Sequence, residues 1–142
     1  MACEPSEIFA LASSLASSPN AGEAAMRGAI SRAYYAALHS VAITFPKRDG
    51  QYRKDGESSH AEIIGRSEVF AANPGQGRSD ALLISKLMPR LRRTRNEADY
   101  RLDMEVGRKE VSETIEATRV VMQRCQRVRD CQQEDAKLSS SK

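Results

Sequence analysis

The sequence predicts an all-α fold of about five helices, on three observations. Hydrophobic residues make up 40% of the 142-residue chain, yet aromatics are only 5% and tryptophan is absent, so the core must be built from Ala, Leu, Ile, Val and Met. Ala and Arg are plentiful and β-branched runs scarce, a composition that favours helices. Apolar residues recur at helical rather than alternating spacing, with capping patterns dividing them into segments, and no convincing strand emerges. The length fits one domain over residues 1–133, followed by a disordered tail over 134–142.

The first helix is expected from about Ser6 to Ser17, where Pro19 stops it. Asn20 opens the second, with Glu23 three residues on as in a capping box, and Pro46 and Gly50 end it after Phe45. At 100° per residue, Met26, Ile30, Ala33, Tyr34, Ala37, Leu38, Val41 and Phe45 share an arc of about 140°, a core face. The opposite side carries Gly28, Arg32, Tyr35, Ala36, His39 and Ile43 instead of Lys and Glu. Such a helix is expected to be sandwiched between neighbours or buried at a subunit contact. Residues 46–57 form a charged loop, expected to be mobile.

Ser59 followed by Glu62 suggests a second capping box and a third helix through about Ala71, closed by the turn Asn73-Pro74-Gly75-Gln76-Gly77. The fourth starts near Ser79 with Leu83, Leu87, Met88 and Leu91 on one face. Pro89 lacks a backbone donor and is expected to kink or restart it, which places Arg92–Arg101 at a break between helices with accessible backbone. Asp103 then caps a last helix to about Cys131, about 45 Å long at 1.5 Å per residue. Its inner stripe is Met104, Val111, Ile115, Thr118, Met122 and Cys125, with Glu105, Lys109, Glu113, Glu116 and Arg127 outside.

Composition also excludes function classes. No apolar run approaches the roughly 20 residues of a membrane span, and the N-terminus lacks the basic-then-apolar pattern of a secretory signal, so the expected location is cytoplasmic. Cys3, Cys125 and Cys131 form no CxxC pair, and His39 and His60 are far apart, which argues against a protein-held metal or a disulfide framework. No cofactor is implied.

The most informative stretch is Arg92-Arg93-Thr94-Arg95-Asn96-Glu97-Ala98-Asp99-Tyr100-Arg101. Between Lys86 and Arg101 six cations face Glu97 and Asp99, a balance of +4 against +3 for the whole chain, so the excess charge sits in one segment. Clustered guanidiniums suit a phosphate-bearing partner, since each fork binds phosphate oxygens bidentately and releases counterions. The competing reading is solvated arginines pairing with nearby carboxylates.

Two segments, Ser31-Arg32-Ala33-Tyr34-Tyr35-Ala36-Ala37-Leu38-His39 and Arg95-Asn96-Glu97-Ala98-Asp99-Tyr100, together with Ser59-His60, resemble the HEPN superfamily (higher-eukaryote and prokaryote nucleotide-binding helical domains), specifically its small stand-alone prokaryotic members. The resemblance covers most of residues 20–130. It implies an up-and-down helical bundle that commonly dimerises, with arginine motifs of both subunits lining one cleft. Many relatives are metal-independent endoribonucleases in toxin-antitoxin, phage-defence or CRISPR settings, so RNA, a second copy of the chain, and an antitoxin or nucleotidyltransferase protein are the implied partners. The family's catalytic signature is Arg, often followed by Asn, then a His after four to six intervening residues. Arg95 and Asn96 match the first part, but Tyr100, Arg101 and Leu102 stand where the His would be.

Metal-free RNA cleavage needs one group to take the 2′-hydroxyl proton and another to protonate the leaving oxygen. A phenol, with an ordinary pKa near 10, is a poor base at neutral pH unless cations depress it. The candidate catalytic set is therefore Arg95 for charge stabilisation, Asn96 as orienter, Tyr100, and His39 as an acid/base supplied from another helix. Against each stands a plainer reading: Arg95 paired with Asp99, Tyr100 packed, His39 a satisfied structural residue. Arg32, Tyr35 and His39 share an arc of about 60° and could form one hydrogen-bonded cluster. Arg90, Arg92, Arg93 and Arg32 are candidate RNA contacts, Asp99 and Tyr35 structural or orienting residues, and His60, near a helix start, a weaker candidate than His39. Three functions compete: an RNA-binding module with or without RNA cleavage, a non-catalytic scaffold that dimerises and pairs with a nucleotidyltransferase or antitoxin, and a nucleotide sensor.

Overall fold

The structure is a computed structural model that describes residues 3–47 and 58–140. Among the described residues it has five helices and no strand: α1 (Pro5–Ser17), α2 (Glu23–Thr44), α3 (Ser59–Ala72), α4 (Arg78–Tyr100) and α5 (Arg108–Ser140). Most of the charged loop expected over 46–57 lies outside the described residues.

α2 is the centre of the bundle, in contact with all four other helices. This is the sandwiched position its sequence predicts: Ala29, Ala33, Ala36 and Ala37 are fully buried, and such small side chains let neighbouring helices approach closely. The main core gathers Tyr34, Val41, Ile84, Met88, Val121, Cys125 and Val128 from α2, α4 and α5. A smaller cluster of Ala29, Ile30, Ala98 and Val111 anchors the far end of α4 against α2 and α5.

Several boundaries differ from expectation, each for a local reason. The Asn20–Glu23 capping box does not form, because α2 begins at Glu23 behind Gly22 and the Glu23 carboxylate turns to Arg27 at 2.8 Å. On α3 the cap is Ser58 rather than Ser59, its Oγ accepting from Ala61 N at 3.1 Å, while Glu62 pairs with Arg66. Asp103 does not cap α5; it binds Arg101, and the Glu110 carboxylate reaches back to Gly107 N at 2.9 Å instead. Residues 134–140 are helical, not a disordered tail: they continue α5, solvent-exposed along their whole length. The inner stripe of α5 holds Val111, Thr118 and Cys125 as expected and adds Thr114, Val121 and Val128, while Ile115 and Met122 are half-buried and Met104 lies outside the helix and exposed.

The largest correction concerns α4. Pro89 does not break it, and the arginine segment lies inside a continuous helix that ends only at Tyr100. Pro89 is exposed, whereas Ile84, Met88, Leu91 and Ala98 are buried on the opposite side, so packing offsets the backbone bond that proline cannot make. The backbone of Arg92–Asn96 is thereby engaged within the helix, and there only side chains are available for contact.

Candidate functional site

Helical geometry now decides which arginines meet. Arg92, Arg95 and Asp99 fall three and four residues apart, on one face turned towards α2 and α3. Arg95 is the hub. Its Nη2 donates to Tyr35 Oη at 2.8 Å and its Nη1 to Asn96 Oδ1 at 2.9 Å. Its Nε lies 2.8 Å from Asp99 Oδ2, an ion pair without a directed hydrogen bond. The guanidinium carbon stands 5.1 Å from the ring centre of Tyr35, 5.5 Å from Tyr100 and 5.8 Å from Tyr34, a cage of three π faces that suits a desolvated cation. Asp99 is held in turn by Ser31 Oγ at 3.3 Å.

A second layer lies beneath. Tyr34 is fully buried, and its hydroxyl meets His60 Nδ1 at 3.0 Å. Burial pushes the Tyr34 phenol up to about 12, against the pull of Arg92 and Arg95. Burial also holds His60 below its ordinary value of 6.5, reinforced by Arg92, Arg95 and His39. The two therefore share a neutral hydrogen bond at neutral pH. The His60 ring meets Tyr35 edge-on at 5.8 Å, and the His39 ring lies tilted 6.4 Å from Tyr35.

Beside this cluster, α3 and α4 enclose an open groove of about 760 Å³. Ala61, Ile64 and Pro89 form its apolar wall; Arg92, Arg93, Asn96 and Arg101 supply polar heads. The Tyr100 ring, 70% exposed, stands at its edge. Arg101 is paired with Asp103, and Arg92 donates to Ser58 Oγ at 2.9 Å. Among the described residues neither Arg92 nor Arg93 has a carboxylate partner, although Glu68 and Glu97 also line the groove.

Of the residues expected at a site, Arg95, Asn96, Asp99, Tyr100 and Tyr35 are brought together, and Arg92 and Arg93 join them at the groove. Arg90 is not: it faces α5, beside Thr94, Glu97, Glu110 and Glu113. Arg32 does not enter the expected cluster with Tyr35 and His39 either; it is exposed and makes no hydrogen bond or ion pair among the described residues. Asp99 lies within the last turn of α4 rather than beyond it, and serves Arg95 rather than a backbone cap. His60, ranked below His39, is the imidazole built into the cluster, and Tyr34, assigned to the core, is its partner. The available signal was position alone: His60 lies in the first turn of α3, two residues after the Ser58 that accepts from Arg92.

Groups of His, Cys, Asp and Glu able to hold a metal ion are absent among the described residues, as are helices long and apolar enough to cross a membrane. In comparison with known proteins, no family model, no curated protein and no solved structure matches this chain.

Proposed function

We propose that this chain is a HEPN-like RNA-binding module that holds the RNA backbone along the α3–α4 groove, of the kind found in toxin and defence systems. One observation carries the reading: Arg92 and Arg93, two guanidiniums with no carboxylate partner among the described residues, line a groove with an apolar wall together with an exposed aromatic ring, Tyr100. Guanidinium forks bind phosphate oxygens, and an exposed ring offers a stacking face for a base. Arg95 serves this site by holding Tyr100 and Asn96 in place, because two of its nitrogens already donate to Tyr35 and Asn96 and its Nε is ion-paired with Asp99.

The test is fluorescence anisotropy with a labelled single-stranded RNA. Replacing Arg92 and Arg93 together by Ala is expected to weaken binding about tenfold or more, while Arg90→Ala, which lies towards α5 outside the groove lining, leaves it within about twofold. Equal affinity of the double variant and the wild type rejects the reading.

A second reading, metal-independent cleavage, is favoured by the two imidazoles that flank Tyr35, whose hydroxyl holds Arg95. His39 is the solvent-exposed one, and so the one able to exchange a proton with a substrate. Incubation with total RNA in a chelator decides it: cleavage lost in both His39→Ala and Arg95→Ala supports the reading. Intact RNA with the wild type removes it and leaves the binding module.

A further inference from the structure

We propose that Arg27 is the positioning residue of this site: its guanidinium fixes the end of α4 and so holds Asp99 and Tyr100 at the groove. What the groove binds rests on the RNA reading above; the clamp itself does not.

The last turn of α4 is Glu97-Ala98-Asp99-Tyr100, two carboxylates and no basic residue at the negative end of a helix dipole. A helix also ends with carbonyls that lack intrahelical partners. Both deficits call for a cation from elsewhere, and α2 supplies it. Arg27 is buried, and its Nη1 donates to the carbonyl oxygens of Ala98 at 2.7 Å, Arg101 at 3.3 Å and Glu97 at 3.4 Å. Its Nη2 donates to Met104 O and, at 2.8 Å, to Glu23 Oε1. The same Glu23 oxygen accepts from Val106 N at 3.3 Å. One guanidinium and one carboxylate thus tie the first turns of α2 to the end of α4 and to the 101–107 connection.

The consequence for the site follows from register. Asp99 and Tyr100 are the final residues of α4, and each contacts Arg95 one turn back, through an ion pair and a ring face respectively. A frayed last turn would release both together. The planar fork of arginine can serve several carbonyls at once, whereas a lysine ammonium, a point charge on a flexible stem, cannot hold that spread of acceptors. The Glu23 carboxyl is held below its ordinary range, first by Arg27 and then by the Val106 amide, as expected of a carboxylate fixed in this staple.

Amide hydrogen exchange with the intact chain tests the clamp without RNA. In Arg27→Lys the amides of Arg101, Met104 and Val106 are expected to exchange about tenfold faster, with those of Val41 and Val121 unchanged. Unchanged rates at 101–106 overturn the proposal. If Arg27→Lys loosens the core as well, Glu23→Gln, which keeps the guanidinium, is the variant to read: a local rise confined to 101–106 supports the clamp, and no rise overturns it. The link to the site is read by a double-mutant cycle in RNA affinity. Tyr100→Ala is expected to cost about tenfold in the wild type but under about threefold in the Arg27→Lys background. The full tenfold in both backgrounds rejects positioning. Should the wild type bind no RNA, the RNA reading fails alone and the exchange data decide the clamp.

Discussion

At the residue scale, the site is a set of polar groups made tolerable by one another. Arg95 and Asp99 are both mostly buried, with side chains 12% and 25% exposed, and neither could sit there without its partner and the Tyr35 and Ser31 hydroxyls. His60 reports on this environment. Its folded-state pKa lies below 6.5, so in the interval beneath 6.5 the unfolded chain binds the more protons. The stability it contributes is complete above about pH 6.5 and is lost as pH falls from there through the folded value. The melting temperature is therefore expected to drop between about pH 7.5 and about pH 5.5, and His60→Gln to reduce that drop. Identical drops in the two proteins would show that the imidazole is not what senses the acid. Little of this was legible from spacing. Tyr34 and Tyr35 are adjacent in sequence and about 100° apart on α2, so one read as core and the other as surface. Only the placement of Arg95 against both makes them one site.

At the element scale, α4 decides what the site is. Pro89 removes the donor that would bond the Ser85 carbonyl, yet the helix continues for eleven residues beyond it. Because Pro89 is exposed and lines the groove, Pro89→Ala is expected to raise unfolding stability by about 1–3 kcal/mol. The midpoint of urea denaturation reads this directly. A lowered midpoint would instead mean that a bend at Pro89 is needed to seat Met88 and Leu91 in the core. The error in reading this segment was physical. Proline and a polar, arginine-rich run together look like a junction, but Met88, Leu91 and Ala98 continue the buried stripe across both. By contrast most of the core face of α2 was legible, since Ile30, Ala33, Tyr34, Ala37, Leu38, Val41 and Phe45 are buried as their period requires, although Met26 is only half-buried and Ala36, expected on the opposite side, is buried too. Caps were less so: Asn20, Ser59 and Asp103 each have the right chemistry, but Gly22 and Ser58 directly precede α2 and α3, and Glu110, inside the first turn of α5, reaches back to Gly107 N. Gly77, by contrast, is required at its position. It opens α4 at φ 84°, a left-handed conformation, and a Cβ there would stand 3.4 Å from Val128 Cγ2.

At the scale of the whole molecule, the question is how a chain of net charge +3 could recognise a polyanion. Much of its positive charge is neutralised in place. Arg66 pairs with Glu62, Arg119 with Glu116, Arg124 and Arg127 with Asp80, and Arg27 with Glu23. Within the +4 segment Arg95 and Arg101 are likewise committed, and Arg90 faces α5, which leaves Arg92 and Arg93 as the groove's available cations. On the RNA reading, such a site would bind through few phosphates and add affinity by stacking on Tyr100 rather than by bulk charge. Binding to a single strand weakens with salt by roughly 0.7 logarithmic units per phosphate neutralised, so two to three contacts give a slope of about −1.4 to −2.1 in log K against log salt. Titration of RNA across salt concentrations is expected to return that slope, and Arg93→Ala to reduce its magnitude by just under one. A slope several times steeper would mean that exposed arginines on other faces, Arg32 among them, share the contact and that the groove is not the interface. A slope of zero would remove the polyanion altogether, and with it the reason for gathering guanidiniums and rings at the end of α4.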